Sequence, residues 1–150
     1  MVQSNLGSVL HVDDDPDILW LTEQSLNDAG FHVVTSESPL RAIELSRETV
    51  FDIAIVDYSM TEMNGDVLAH RLWEINKNLE IIFVTGRSEF INKLSLEIPQ
   101  ALVLLKPVLD DILIEAVSLR IVRDPEKTGL VPPETYTQVP YTQVANAIYY

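Results

Sequence analysis

Five short apolar runs, each followed by a segment with helical spacing, constrain the fold of this chain more than any other feature. The runs are nearly continuous, rich in Val and Ile, and short for buried helices. They are SVLHV (8–12), FHVVT (31–35), FDIAIV (51–56), EIIFVT (80–85) and ALVLL (101–105). Runs of this kind are typical of strands buried on both faces. The alternation therefore predicts an α/β fold in which helices cover both sides of a parallel sheet.

The segments between the runs carry the signals of helix ends. In the first segment Asp15 stands at the N-cap position, Pro16 at the first helical position and Gly30 at the stop. The apolar residues of this helix are Ile18, Leu19, Leu21, Leu26 and Ala29. The other four helices are expected to begin at Ser38-Pro39, after Gly65, at Ser88 and at about Val108. The chain is thus a strand–helix unit repeated five times.

Length and composition are those of one globular domain. The chain has 150 residues, of which 47% are hydrophobic, and this is enough to bury a core. No apolar run approaches the roughly 18 residues of a membrane span, and the N-terminal MVQSNLGS lacks the basic and apolar regions of a secretory signal. The absence of cysteine excludes disulfides and thiolate metal sites. We therefore expect a cytoplasmic protein without membrane contact.

The charge of the chain argues against nucleic-acid binding. The net charge is −13, from 23 acidic and 10 basic residues, and the basic residues are scattered singly. Such a field repels a polyanion unless a basic patch is concentrated somewhere. We expect no direct binding to DNA or RNA.

The composition changes at Asp124. Residues 124–150 hold four of the eight prolines and four of the five tyrosines, and they include the near-repeat YTQVPYTQV. This predicts one globular domain at 1–123 and a C-terminal extension at 124–150, with no separate output domain. The extension is too short for a core of its own. Its Tyr, Val and Thr residues would suit a docking arm or a pairing strand, which leaves a homodimer open.

Polar residues follow four of the five predicted strands. Asp13, Asp14 and Asp15 follow the first strand. Asp57, Thr85 and Lys106 follow the third, fourth and fifth strands in turn. Parallel strands end at one edge of a sheet, and ligands of open α/β sheets bind outside that edge. We therefore expect these groups to converge on one site.

Each of these residues has an ordinary explanation when it is taken alone. Asp15 is a good helix cap, and an isolated Asp57 would most simply start a turn. Two carboxylates about 4 Å apart, however, repel each other by about 4 kcal/mol at an effective dielectric constant of about 20. A fold that gathers Asp13, Asp14 and Asp57 therefore calls for a cation. Oxygen ligands at an open site favour Mg²⁺, which also binds phosphate, and Lys106 would complete the neutralisation.

The segments VLHVDDDPDIL, DIAIVDYSMTEMNG, IIFVTG and VLLKP occur in this order along the chain. Together they resemble the receiver domain of response regulators, and the resemblance covers about Ser8 to Arg123. It implies a flavodoxin-like, doubly wound (βα)₅ fold with strand order 2-1-3-4-5. It also implies a phosphoacceptor domain of two-component signalling, which is a signalling domain and catalyses only its own phosphorylation and dephosphorylation.

The resemblance assigns roles to individual residues. It makes Asp57 the phosphoacceptor and Asp13 and Asp14 the acidic pair that organises Mg²⁺, with Asp14 a direct ligand and Asp13 acting through water. The main-chain carbonyl of Ser59 would be a further metal ligand.

The same resemblance assigns the remaining site residues. The hydroxyl of Thr85 would meet the phosphoryl oxygens and Lys106 would pair with the phosphoryl group. Pro107 would follow Lys106 through a peptide bond that is often cis in the family.

Two positions depart from the family pattern. Thr61 stands where a proline is common soon after the acceptor. Val103, three residues before Lys106, stands where many receivers place an aromatic residue that swings inward on activation. In the family the switch involves the residues at positions 85 and 103. Because position 103 is Val here, we expect the surface that binds the downstream partner to respond differently to phosphorylation in this chain.

The resemblance also implies the partners. The phosphoryl donor would be a sensor histidine kinase or a histidine phosphotransfer protein, and the phosphorylated form would bind a downstream protein. A receiver-like module that works without phosphorylation stays open as an alternative. An aspartate-nucleophile phosphohydrolase is less well supported, because such enzymes usually carry a second Asp where this chain has Ser59.

Overall fold

The computed structural model describes residues 5–121, which form five strands and five helices in strict alternation. The elements are β1 (Ser8–Val12), α1 (Pro16–Asp28), β2 (His32–Ser36), α2 (Pro39–Glu48), β3 (Ile53–Asp57), α3 (Gly65–Ile75), β4 (Glu80–Thr85), α4 (Ser88–Glu97), β5 (Leu102–Leu105) and α5 (Asp110–Ile121). The predicted C-terminal extension, 124–150, lies outside the described residues.

All four strand pairings are parallel, and the strand order is β2-β1-β3-β4-β5. The predicted α/β class and the flavodoxin-like order are therefore confirmed. The order reverses between β1 and β3, since the chain moves outward from β1 to β2 and then returns to the other side. Such a reversal opens a crevice at the carboxyl ends of the strands. Asp13 and Asp57 stand at this crevice.

The sheet carries a layer of buried side chains on each face. Phe83 and Val56 point toward α2, α3 and α4, where they join Leu68 and Leu72. The neighbouring residues on the same strands belong to the other layer, in which Ile55 and Val84 pack with helices α1 and α5. Both faces of the strands are thus apolar, because each face is covered by helices. This explains why the five runs read as continuous rather than alternating.

β2 begins at His32, one residue later than the predicted strand at 31–35, because the end of α1 includes Phe31. Gly30 has a φ of 103°, a left-handed conformation that favours glycine. Its N–H donates to the carbonyl of Asn27, and the N–H of Phe31 donates to the carbonyl of Leu26. These two bonds form a Schellman motif, so Phe31 belongs to the helix stop rather than to the strand.

Two other expectations about the helices were wrong in detail. Leu21 was expected on the apolar face of α1, but it is exposed. The buried stripe of α1 consists of Leu19, Thr22 and Leu26, which lie three and four residues apart on one face. α5 begins at Asp110 rather than at about Val108, and two aspartates in its first turn favour the helix dipole there. Among residues 5–121, no helix is long and apolar enough to cross a membrane.

Candidate functional site

The polar residues predicted to converge lie together at the carboxyl edge of the sheet. Asp13 directly follows β1, Asp57 is the last residue of β3, and both carboxylates are almost completely buried. Thr85 ends β4 and is fully buried. The main-chain N–H of Lys106 donates to the carbonyl of Thr85 at 2.8 Å, which fixes the lysine at the same edge.

The three consecutive aspartates have different tasks in the structure. The carboxylate of Asp15 accepts a hydrogen bond from the N–H of Asp17 at 3.0 Å and so caps α1. The carboxylate of Asp13 accepts one from the N–H of Asp15 at 2.9 Å and faces the site. Asp14 is exposed beside it. The prediction that Asp15 caps the helix is confirmed, and the preceding pair borders the crevice.

Lys106 supplies a positive charge to the site. Its Nζ lies 2.9 Å from Asp13 Oδ2 and 3.5 Å from Asp57 Oδ1. Burial works against the ammonium, but the hydrogen bond to Asp13 and the charges of Asp13 and Asp57 outweigh it and raise the pKa of Lys106. The lysine is therefore a permanent cation that bridges the two buried carboxylates.

The surroundings of Asp57 disfavour its charged form. Burial, and then the negative charge of Asp13, raises the pKa of Asp57 from 3.8 to about 6. Lys106 and the main-chain N–H of Ser59 oppose this shift without cancelling it. The carboxylate of Asp57 is thus ionised at neutral pH, but it carries an electrostatic penalty that a second cation would relieve.

The donor atoms present fit a hard metal ion. One carboxylate oxygen from each of Asp13, Asp14 and Asp57 can be chosen so that all three lie within 4.8 Å of one another. Three carboxylates face one ammonium, and an all-oxygen donor set is what Mg²⁺ prefers. Asp14 is exposed, so the site opens to solvent. The predicted part of Ser59, a carbonyl ligand, stays a prediction.

The two predicted switch residues, Thr85 and Val103, have different surroundings. Thr85 Oγ1 accepts a hydrogen bond from the N–H of Arg87 at 3.2 Å, so the hydroxyl is engaged by the loop that follows β4. Val103 is buried in the layer between the sheet and helices α2 to α4. The peptide bond between Lys106 and Pro107 is cis, as the family resemblance implied.

Two features near the site were not found from the sequence. His11 lies two residues before Asp13 on β1, and burial lowers its pKa to about 4, although the charge of Asp13 opposes this. The imidazole is therefore neutral at pH 7, and its buried Nδ1 has no hydrogen-bond partner among residues 5–121. Tyr58, directly after Asp57, contacts two residues of α4. A period of two along a strand could have placed His11 beside Asp13, but no sequence pattern pairs Tyr58 with α4.

Doubly wound α/β domains bind ligands in the crevice at their switch point, and the buried aspartates and the lysine of this chain lie there. Comparison with known proteins identifies the class: residues 9–118 match the response regulator receiver domain family. The chain belongs to this family, whose members are signalling domains rather than classical enzymes.

Individual relatives support the same assignment. The chain is 36% identical over 78 residues to the response regulator receiver protein CpdR of Brucella abortus, an alignment that covers 52% of this chain and 65% of CpdR. It is 33% identical over 85 residues to the transcriptional regulatory protein YrkP of Bacillus subtilis, covering 57% of this chain and 36% of YrkP. The chain thus spans less than two thirds of the length of either relative.

A solved structure agrees with the fold over its whole length. The CheY-like receiver domain protein of Methanospirillum hungatei superposes with a TM-score of 0.74 at 26% identity, covering 82% of this chain and 99% of that one.

Proposed function

We propose that this chain is a phosphorylatable receiver in which Asp57 accepts a phosphoryl group from a phosphohistidine in the presence of Mg²⁺. The donor is a sensor histidine kinase or a histidine phosphotransfer protein. The observation that supports this best is the position of Asp57: its buried carboxylate lies 3.5 Å from Lys106 Nζ and within 4.8 Å of carboxylate oxygens of Asp13 and Asp14. The receiver comprises residues 1–123 and acts in the cytoplasm.

The reaction uses the ionised carboxylate of Asp57 as the nucleophile. An oxygen of Asp57 attacks the phosphorus in line, so that an O–P bond forms while the P–N bond of the phosphohistidine breaks. The imidazole of the donor keeps the electron pair of the P–N bond, and with one proton bound it leaves as neutral histidine. Lys106 stabilises negative charge on the phosphoryl oxygens. Asp13, Asp14, Asp57 and the carbonyl of Ser59 would hold Mg²⁺, which supplies further charge neutralisation when it is bound.

The product changes the charge of the site. An acyl phosphate adds about −1.5 to −2 charges at neutral pH, next to carboxylates that are already crowded. Lys106, which contacts Asp57, and the hydroxyl of Thr85 at the end of β4 are the side-chain donors that would respond. Their movement shifts the equilibrium of the surface formed by α4, β5 and α5, to which a downstream protein binds.

Labelling with a small phosphodonor tests this function. We expect the full chain, incubated with acetyl phosphate and Mg²⁺, to gain the mass of one phosphoryl group. The gain is expected to disappear in EDTA and in the Asp57→Asn variant. The Asp66→Asn variant, which changes an aspartate in the first turn of α3, should label like the wild type and serves as the control.

The result also separates the alternatives. Failure of the wild type to label, with Mg²⁺ bound, would favour a module that works without phosphorylation. Repeated turnover of a phosphomonoester would favour a phosphohydrolase. Equal labelling of the Asp57→Asn variant would contradict the assignment of the acceptor.

Magnesium binding gives a second, independent prediction. Mg²⁺ that binds only the folded state stabilises it by mass action, so we expect added Mg²⁺ to raise the Tm of the unphosphorylated chain. Asp14→Asn removes a carboxylate that faces solvent at the site, and it should abolish most of this rise in differential scanning fluorimetry. Asp17→Asn, an exposed acid two residues beyond the triplet, should retain it. An equal rise in both variants would show that Mg²⁺ acts on the general surface charge.

A further inference from the structure

A cluster of four side chains joins the site to α4. Tyr58 follows Asp57 directly and is 3% exposed. Its ring packs on that of Phe90, with 4.5 Å between the centroids and 47° between the planes. Its hydroxyl accepts a hydrogen bond from Lys93 Nζ at 3.1 Å. Phe90 and Lys93 lie on α4, so the residue next to Asp57 in the chain contacts that helix directly. With Arg87, these residues are called the Tyr58 cluster below.

A second connection reaches the same helix from Thr85. The N–H of Arg87 donates to Thr85 Oγ1 at 3.2 Å, while the guanidinium of Arg87 lies 4.9 Å from the centroid of the Phe90 ring. A cation over an aromatic face at this distance is attracted to it. Glu89 holds the other side of the guanidinium. Both residues that respond to phosphate, Asp57 and Thr85, are therefore connected to Phe90.

The N-terminal turn of α4 is only partly buried. The N-cap residue Arg87 makes no side-chain hydrogen bond to the helix N–H groups, and Leu94 is the one buried residue within α4. Leu96, on the same helix, is 84% exposed. Ile91 and Leu94 attach α4 to the core, and the Tyr58 cluster links the first turn of the helix to the residue that follows Asp57.

Position 103 cannot carry the same signal in this chain. Val103 is buried in the core and has neither a ring nor a polar atom that could move between the core and solvent. A β-branched side chain is also stiff at χ1. The polar and aromatic contacts that border both Asp57 and Thr85 lie instead in the Tyr58 cluster.

We propose that the Tyr58 cluster couples phosphorylation of Asp57 to the position of α4, with Phe90 as the residue on which both connections converge. When the Thr85 hydroxyl turns to a phosphoryl oxygen, it leaves the N–H of Arg87. Arg87 then shifts relative to the Phe90 ring, and the contact between Phe90 and Tyr58 rearranges. The first turns of α4 move because the ring that anchors them has changed partners. This coupling rests on the proposed function.

The chain lacks cysteine, so a single reporter can be placed on α4. Asn92 is exposed on this helix, and Asn92→Cys labelled with an environment-sensitive fluorophore reports its movement. We expect acetyl phosphate with Mg²⁺ to change the fluorescence of this parent, while mass spectrometry gives the phosphorylated fraction. In a Phe90→Leu background, labelling of Asp57 should persist, but the fluorescence change per phosphorylated molecule should fall by about fivefold or more.

Two further variants make the test specific. Arg87→Ala, at an exposed residue that does not threaten folding, should reduce the normalised change in the same way. Leu96→Ala, on the same helix but outside the Tyr58 cluster, should leave it unchanged. An undiminished change in both Phe90→Leu and Arg87→Ala would overturn the coupling while leaving the phosphoacceptor intact. Absence of label in the parent would overturn the proposed function, and the coupling with it.

Discussion

Replacing Asp57 with asparagine is expected to stabilise the protein against unfolding at neutral pH when no metal is bound. The carboxylate of Asp57 is buried beside Asp13, and Lys106 lies closer to Asp13 than to Asp57. An amide keeps the shape of the side chain and removes the charge. Allowing for solvent screening at the open edge of the site, we expect the free energy of unfolding to rise by about 2 kcal/mol.

The same argument fixes the sign of the pH dependence. The pKa of Asp57 is about 6 in the folded protein, against 3.8 for an unperturbed aspartate. Between these values the folded state binds more protons than the unfolded state, so the contribution of Asp57 to stability falls as the pH rises. The penalty is absent below the lower value and complete above about pH 6. The gain from Asp57→Asn should therefore vanish near pH 4 and be full near pH 7.

Urea unfolding in EDTA at several pH values measures this difference. Glu115→Gln changes an exposed glutamate on α5, and its effect should stay within about 0.5 kcal/mol across the range. A loss of stability in Asp57→Asn at neutral pH would show that Asp57 is a favourable ion-pair partner of Lys106. The inference that the charge of Asp57 is destabilising until a second cation binds would then be wrong.

The fold was predictable because each strand is buried on both faces. Continuous runs of Val, Ile and Leu have no other simple place in a chain of this length, and Asp15-Pro16 and Gly30 mark the ends of α1 by ordinary capping chemistry. The boundaries were less predictable. Phe31 is as apolar as a strand residue, and only the hydrogen bond from its N–H to Leu26 shows that it completes the helix stop.

The composition of the site was predictable for a similar reason. Parallel strands end at one edge, so the residues at or just past the ends of β1, β3, β4 and β5 had to lie near each other. The detailed pairing did not follow from this rule. Lys106 was expected to serve the phosphoryl group on Asp57, yet its shorter contact is with Asp13. That choice depends on side-chain lengths and on the relative height of β1 and β5, which no motif encodes.

The contacts of Tyr58 show a further limit of sequence reasoning. The position after Asp57 reads as part of a turn, and Phe90 and Lys93 read as ordinary residues of an amphipathic helix. Their meeting depends on how α4 crosses the end of β3, a distance of more than thirty positions along the chain. Tertiary packing decides such a pairing, and it cannot be predicted from local propensity.

Gly65→Ala is expected to damage both stability and phosphorylation. A Cβ at Gly65 would lie 2.6 Å from the carbonyl oxygen of Asp57 and 2.9 Å from the Cα of Tyr58. Both contacts are with backbone, so no flexible side chain can move aside. The N–H of Gly65 also donates to the carbonyl of Tyr58 at 2.8 Å. The first residue of α3 is thus pressed against the peptide that carries the acceptor, and a methyl group must displace one of them.

We expect Gly65→Ala to lower the free energy of unfolding by about 1–3 kcal/mol, as overpacking usually does. Labelling by acetyl phosphate should also slow, because a shift of the end of β3 moves Asp57 away from Lys106. Gly86→Ala is the matched control, since a Cβ there would meet nothing within 4 Å; its stability should equal or slightly exceed that of the wild type. Equal stability of the two variants would mean that α3 can withdraw from β3 without cost. A destabilised Gly65→Ala that still labels at the wild-type rate would mean that the strand end yields while the site keeps its geometry.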